Sequence, residues 1–169
     1  LVRLIRDCLI VPDRAVTEML RTLDDTPRAV AAARLIVKNN EIAESERVYC
    51  CQDTGQAVFF VRLGDDVYCK GLKDAIVEAT REAYANARKS VADPLYRKNT
   101  GDNTPPIIET ELTSGDTLEI DFLAKGAGSE NMTRLYMLRP TDGEQKIIDS
   151  IVDAVKQGGR NACPPLIVG

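Results

Sequence analysis

A chain of 169 residues, 44% hydrophobic and 28% charged, has the size and mixture of one soluble globular domain, or of one domain and part of a second. Its net charge of −4 supplies no global field for nucleic acid, and no apolar run reaches the length of a membrane span, so neither is expected as a partner. The absence of histidine excludes a Ser-His or Cys-His catalytic pair and any imidazole metal site within the chain.

The first third reads as helical. Val16, Met19, Leu20 and Leu23 fall at helical spacing after Pro12-Asp13 as a start signal. Thr26-Pro27 opens the next helix, with threonine at the N-cap and proline at the first helical position; Val30, Ala33 and Val37 then share a face, and the charged run 41–47 ends it. Residues 57–63 are β-branched and aromatic and predict a buried strand. From Leu72 to about Ser90 the pattern is helical again, with Ile76, Ala79, Ala83 and Ala87 along one side, and Asp93-Pro94 stops it. Residues 107–124 predict a hairpin: Ile108, Thr110 and Leu112, then Leu118, Ile120 and Phe122, alternate about Ser114-Gly115-Asp116.

Residues 133–139 predict a further strand. Thr141 and Glu144 form a capping box for a helix with Ile147, Ile148, Ile151, Val152 and Val155 inside, which Gly158-Gly159 terminates. This order favours an α+β (mixed α/β) fold: N-terminal helices followed by a mainly antiparallel sheet flanked by helices. Leu166-Ile167-Val168-Gly169 reads as a strand just beginning, so a domain covering 1–169 is expected to be incomplete at its C-terminus. No signal-peptide pattern opens the sequence, and its first residue is leucine, so residues before Leu1 are expected as well.

The five cysteines, Cys8, Cys50, Cys51, Cys69 and Cys163, are odd in number and fit neither a zinc ribbon nor a secreted disulfide framework. A reducing, cytoplasmic setting is expected, in which thiols are available for iron–sulfur chemistry. Four polar stretches marked by glycine or proline are poorly explained as core: Cys51-Gln52-Asp53-Thr54-Gly55, Asn99 to Pro105, Lys125 to Asn131 and Ala162-Cys163-Pro164-Pro165. Each alone has a plain reading, as a small buried cysteine, a solvated connector, a turn or a stiffened loop.

Together they are specific. Cys-Gln-Asp-Thr-Gly at 51–55, Ala-Arg-Lys-Ser at 87–90, Asn-Thr-Gly-Asp-Asn-Thr-Pro at 99–105, Lys-Gly-Ala-Gly-Ser-Glu-Asn at 125–131 and Ala-Cys-Pro-Pro at 162–165 resemble the class I, iron–sulfur-dependent fumarate hydratases. That family includes the L-tartrate dehydratases, and the resemblance runs from about residue 30 to the end. It implies a 4Fe–4S cluster held by three cysteines, with one iron open to substrate as a Lewis acid. Cys51 and Cys163 match the first two ligands; the third is expected beyond residue 169. Pro164 biases Cys163 towards an extended conformation. Cys8, Cys50 and Cys69 match no ligand motif. Cys8 and Cys69 read as buried small residues, while Cys50, beside a ligand, is placed to scavenge a damaged cluster.

The resemblance also gives Gln52 a hydrogen bond to a substrate carboxylate and makes Asp53 one of a proton-handling pair whose partner lies elsewhere in the enzyme. Arg88 matches the family's carboxylate-binding arginine, suited to a dicarboxylate by its paired donors. Lys125, with Gly126 and Gly128, belongs to a loop that reaches substrate. The plainer alternatives are an Asx-turn for Asp53 and a cation at a helix C-terminus for Arg88.

The implied partners are a small dicarboxylate and either the remainder of a longer chain or a separate β subunit, in an oligomer. Hydration of fumarate to L-malate is the first functional reading. L-tartrate dehydration is its rival, against which the Lys-Gly-Ala-Gly-Ser-Glu-Asn loop argues. A non-catalytic, cluster-carrying scaffold is a further alternative. Thiol redox through Cys50-Cys51 is disfavoured, since adjacent cysteines make a strained disulfide and lack the C-x-x-C spacing.

Overall fold

The apolar run expected as a buried strand forms β1 (Gln56–Gly64) and takes the centre of a three-stranded sheet. The computed structural model describes residues 1–163, 165, 166 and 168. Around β1 the elements run α1 (Val2–Ile10), α2 (Arg14–Arg21), α3 (Pro27–Glu46), α4 (Leu72–Ala83), β2 (Ile107–Thr113), β3 (Leu118–Lys125), α5 (Ala127–Asn131) and α6 (Gly143–Gly158). Short 3-10 turns at Pro140–Asp142 and Gly159–Ala162 flank α6. The chain divides into two compact units, Leu1–Lys125 and Gly126–Gly169. Among the described residues no helix is long and apolar enough to cross a membrane.

In the first unit, Ala57, Phe59 and Val61 of β1 point to one face and are buried against Ile5 and Leu9 of α1 and Ile76, Ala79 and Ala83 of α4. Each large side chain so buried contributes about 1.5–3 kcal/mol. The Phe59 ring meets Phe122 at 5.1 Å between centroids, tilted by 54°, a favoured aromatic geometry. A second cluster of Leu20, Ala33 and Val37 joins α2 to α3. Both helices start as the sequence predicts: Asp13 accepts from the Val16 amide at 2.9 Å, and Thr26 accepts from Ala29 at 3.3 Å with Pro27 following.

The α+β class holds, but the sheet is mixed. β1 pairs with β2 in parallel (Phe59 opposite Ile108) and with β3 antiparallel (Phe59 opposite Phe122), giving the order β2-β1-β3. Residues 107–124 therefore do hold two strands, but these do not pair as a hairpin. The cause is the distribution of apolar side chains. β1 buries Val58 on the second face as well, whereas β2 and β3 present Glu109, Glu111, Glu119 and Asp121 there and suit the edges.

The helix expected to reach Ser90 stops at Ala83. Tyr84 turns fully inward and donates its hydroxyl to the Thr54 carbonyl at 3.1 Å. The Lys89 ammonium then folds back onto the carbonyls of Tyr84, Ala85 (2.9 Å) and Ala87 (2.7 Å), satisfying acceptors just past the helix end.

The second unit departs further from expectation. Residues 133–139 form no strand; Leu135 and Met137 are 87% and 88% exposed, and the Tyr136 hydroxyl donates to Asp153 at 2.9 Å. Asp142 accepts from the Arg139 amide at 2.8 Å, so the cap is built two residues earlier than a Thr141–Glu144 box, on the 3-10 turn that precedes α6. The α6 residues expected inside, Ile147, Ile148, Ile151, Val152 and Val155, are 36–52% exposed; a unit this short cannot enclose a helix face. Gly158-Gly159 ends α6 as expected. Of the strand expected at 166–169, Ile167 and Gly169 lie outside the described residues, as does Pro164.

Candidate functional site

β1 and β2 run parallel, so the loops that enter them, 51–55 and 99–104, arrive at the same end of the sheet. β3 runs the other way and finishes there, with Lys125 opposite Gln56. The segment 87–91 after α4 is drawn to this end by side-chain hydrogen bonds. Thr54 Oγ1 donates to the Arg88 carbonyl at 2.8 Å, and Ser90 Oγ donates to Asp53 Oδ1 at 3.1 Å. Asn103, fully buried, accepts from the Ser90 and Val91 amides at 2.6 and 3.2 Å and donates to the Arg88 carbonyl at 3.3 Å. Cys51, Gln52, Asp53, Arg88 and Lys125 are thus carried to one end of the first unit.

Within that cluster Cys51 and Gln52 are exposed, and Asp53 is half-buried. The Gly55 amide donates to Asp53 Oδ1 at 3.0 Å, so the plain Asx-turn reading is correct as far as it goes. Ser90 adds a donor that a solitary turn does not have. Arg88 is exposed, and its guanidinium makes no ion pair or hydrogen bond among the described residues. It lies beyond the end of α4, where Lys89 caps the carbonyls, so the expected helix-terminal cation is the neighbour. An exposed guanidinium at the same end of the sheet as a carboxylate that accepts from Ser90 and Gly55 suits an anionic ligand with a transferable proton.

Two shifted groups support the same end. The Asp102 carboxyl is held down to about 2, first by the Thr104 hydroxyl at 2.7 Å, then by the Thr104 amide at 3.0 Å and Arg81. Burial pushes the Tyr84 hydroxyl well above its ordinary value, keeping it a neutral donor to Thr54.

The remaining expected residues lie in the second unit. Gly126 is extended at the start of α5. Gly128 packs against the closing turn: a β-carbon there would come within 2.8 Å of the Asn161 carbonyl oxygen. Ser129 Oγ donates to the Ala162 carbonyl at 3.2 Å, so α5 meets the last 3-10 turn. Cys163 is exposed and left-handed (φ 60), not extended, because its amide closes that turn onto the Arg160 carbonyl at 3.2 Å.

All five cysteines are free, and Cys8 and Cys69 are exposed, contrary to the expectation of buried small residues. Cys69 sits in the turn between β1 and α4; Cys8 is exposed as a residue although burial of its sulfur still raises the thiol. The Cys50 thiol is raised first by burial and then by neighbouring Cys51. Among the described residues no three Cys, Asp or Glu side chains come together as a metal site. For Asn103 the sequence offers only a site-lining place within 99–104, with no atom-level function, and for Thr54, Ser90 and Tyr84 no individual role. The only hint was that uncharged polar residues in glycine-bearing stretches are as able to be buried as to be solvated.

Comparison with known proteins bears on the family. The family described as fumarate hydratase (Fumerase) matches residues 4–169. A Methanocaldococcus jannaschii protein titled "Putative L(+)-tartrate dehydratase subunit alpha" is 35% identical across 80% of this chain and 51% of its own length. The L(+)-tartrate dehydratase subunits alpha of Escherichia coli and Shigella sonnei are each 32% identical, across 70% of this chain and 42% of theirs. The chain spans about half the length of the curated relatives it matches.

Proposed function

The chain belongs to the fumarate hydratase family, and on that footing we propose that it is the amino-terminal, α-subunit-like part of a cytoplasmic hydro-lyase adding water to fumarate to give L-malate. The observation that carries the reading is that Arg88, whose guanidinium is exposed and makes no ion pair among the described residues, and Asp53, which accepts from Ser90 and Gly55, are carried to the same end of the sheet by hydrogen-bonded loops. Arg88 clamps one substrate carboxylate with parallel N–H donors. Gln52 supplies a further hydrogen bond to it. Asp53, oriented by Ser90 and Gly55, exchanges a proton at the substrate carbon or with water. The second carboxylate is assigned to the loop of Lys125, Gly126 and Gly128, as the family resemblance implies.

Cys51 and Cys163 are right in kind for a 4Fe–4S cluster, being exposed free thiols. They are two donors where three are needed, so on this reading the third thiolate and the acid–base partner of Asp53 come from outside this chain, which spans about half the length of its relatives. A cluster held by Cys51, Cys163 and a third thiolate would supply Lewis-acid polarisation of a substrate oxygen. The chain then acts with the rest of the polypeptide or with a β subunit, in an oligomer.

L-tartrate dehydration is the second reading, favoured by the names of the relatives. It uses the same clamp and the same carboxylate. The test is turnover of fumarate and of L-tartrate by the complete enzyme, purified without air and supplied with iron and sulfide. Fumarate turnover that vanishes in air and in Cys51→Ser and Cys163→Ser supports the first reading. Turnover of L-tartrate alone transfers the assignment to the second.

A further inference from the structure

Asn103 touches all three loops at the polar end of the first unit, yet nothing assigns it a part in the reaction. It is 0% exposed and sits in the left-handed region (φ 59), which asparagine tolerates better than most residues. Its Oδ1 accepts from Ser90 N (2.6 Å) and Val91 N (3.2 Å). Its Nδ2 donates to Arg88 O (3.3 Å) and, at longer range, to Gly55 O (3.5 Å). An amide side chain has two acceptor sites and two donor hydrogens, and all four are engaged.

The partners of those bonds matter more than their number. The Arg88 carbonyl that Asn103 holds is the one Thr54 also holds, at 2.8 Å. The Ser90 amide that Asn103 holds belongs to the residue whose hydroxyl donates to Asp53 Oδ1 at 3.1 Å. One amide therefore fixes the backbone beneath the guanidinium and, through Ser90, the carboxylate. Asn103 is fully buried, and these four hydrogen bonds offset the cost of taking its amide out of water.

We infer that Asn103, seconded by Thr54, is the positioning residue that sets the spacing between Arg88 and Asp53 and so matches the site to a short dicarboxylate. This rests on the hydro-lyase reading above. An aspartate at 103 would turn a carboxylate oxygen towards the Arg88 and Gly55 carbonyls in place of the donor. A glycine would keep the backbone conformation and lose all four bonds.

The test uses the complete, cluster-loaded enzyme with fumarate and with L-tartrate as substrates, comparing wild type, Asn103→Gly, Asn103→Asp and Thr54→Val. Rates are normalised to iron content and to the folded fraction. The expected result for folded Asn103 variants is a rise in KM and a fall in normalised kcat of about tenfold each, since misplacing groups by an ångström costs that or more. Thr54→Val keeps the side-chain volume and is expected to raise KM about threefold. Kinetic constants within about twofold of wild type, or activity lost only in proportion to folded, loaded enzyme with KM unchanged, would overturn the inference. If neither Asn103 variant folds, Thr54→Val decides, and an unchanged KM overturns it. A wild type inactive on both acids defeats the hydro-lyase reading and this inference with it; an active wild type with unaltered variants defeats the inference alone.

Discussion

The carbonyl oxygen of Gly115 occupies the space that a β-carbon on Gly64 would need. Gly64 closes β1, and Gly115 is in the loop that carries the chain from β2 over the end of β1 to β3. The crossing is pinned by Gly64 N to Thr117 O (2.8 Å), Asp66 N to Gly115 O (2.9 Å) and Gly115 N to Asp65 Oδ1 (2.8 Å). Gly64→Ala drives side chain into backbone, which cannot rotate away, and is expected to cost about 3 kcal/mol. Urea unfolding of the variant measures it; a wild-type midpoint would show that the crossing loop yields freely.

Tyr84→Phe removes the donor to the buried Thr54 carbonyl, beneath the Asp53 turn. A loss of about 1–2 kcal/mol is expected from the unpaired carbonyl. Alkali gives a second signature. The folded pKa of Tyr84 is raised by burial, so the unfolded chain releases the proton first. Its contribution is full below about 10 and is lost as pH rises beyond that value. Thermal unfolding scans above that pH are expected to show a steeper decline for wild type than for Tyr84→Phe, and parallel declines would refute the assignment.

Asp102 predicts the opposite dependence. Its folded pKa is depressed to about 2, chiefly by Thr104. Its contribution is full above the unfolded value of about 4 and drains away as pH falls towards the folded one. Asp102→Asn is expected to flatten the acid loss of stability in that window. The denaturation midpoint between those two pH values is the measurement, and an unaltered slope would assign the acid sensitivity elsewhere.

For Arg88 the expected effect is on binding without an effect on stability. Its side chain is exposed and unpaired among the described residues, so the melting temperature of Arg88→Lys and Arg88→Ala should match wild type. In the complete enzyme KM for the dicarboxylate should rise about tenfold for lysine and about a hundredfold for alanine, the scale of a lost charge-assisted pair. A wild-type KM in Arg88→Ala would remove the clamp from the proposal.

Local signals were legible where the chemistry is local. Asp13 and Thr26-Pro27 start helices because capping needs only the next turn of chain. β1 was legible because a run that is apolar on both faces has to be interior. Its position between β2 and β3 was not, since alternation reports a strand and its buried face but not the neighbour across the hydrogen bonds. The end of α4 was missed because Ala87 keeps helical spacing, while the turn is decided by Tyr84 and Lys89 reaching partners that periodicity does not register. The site showed the same division. Cys51, Asp53 and Arg88 stood out in motifs, but Asn103 draws its importance from contacts to residues far along the chain.

The placement of β1 has a consequence for how the polypeptide is made. The most apolar strand leaves the ribosome before either flanking strand, with α4 and the 84–106 loops still to follow. Until β2 and then β3 are complete, both backbone edges of β1 are open templates for another chain. A nascent chain interrupted anywhere before Lys125 keeps at least part of one edge unpaired, and such products should form aggregates in which Phe59 and Val61 are sequestered by neighbouring copies instead of by their own helices.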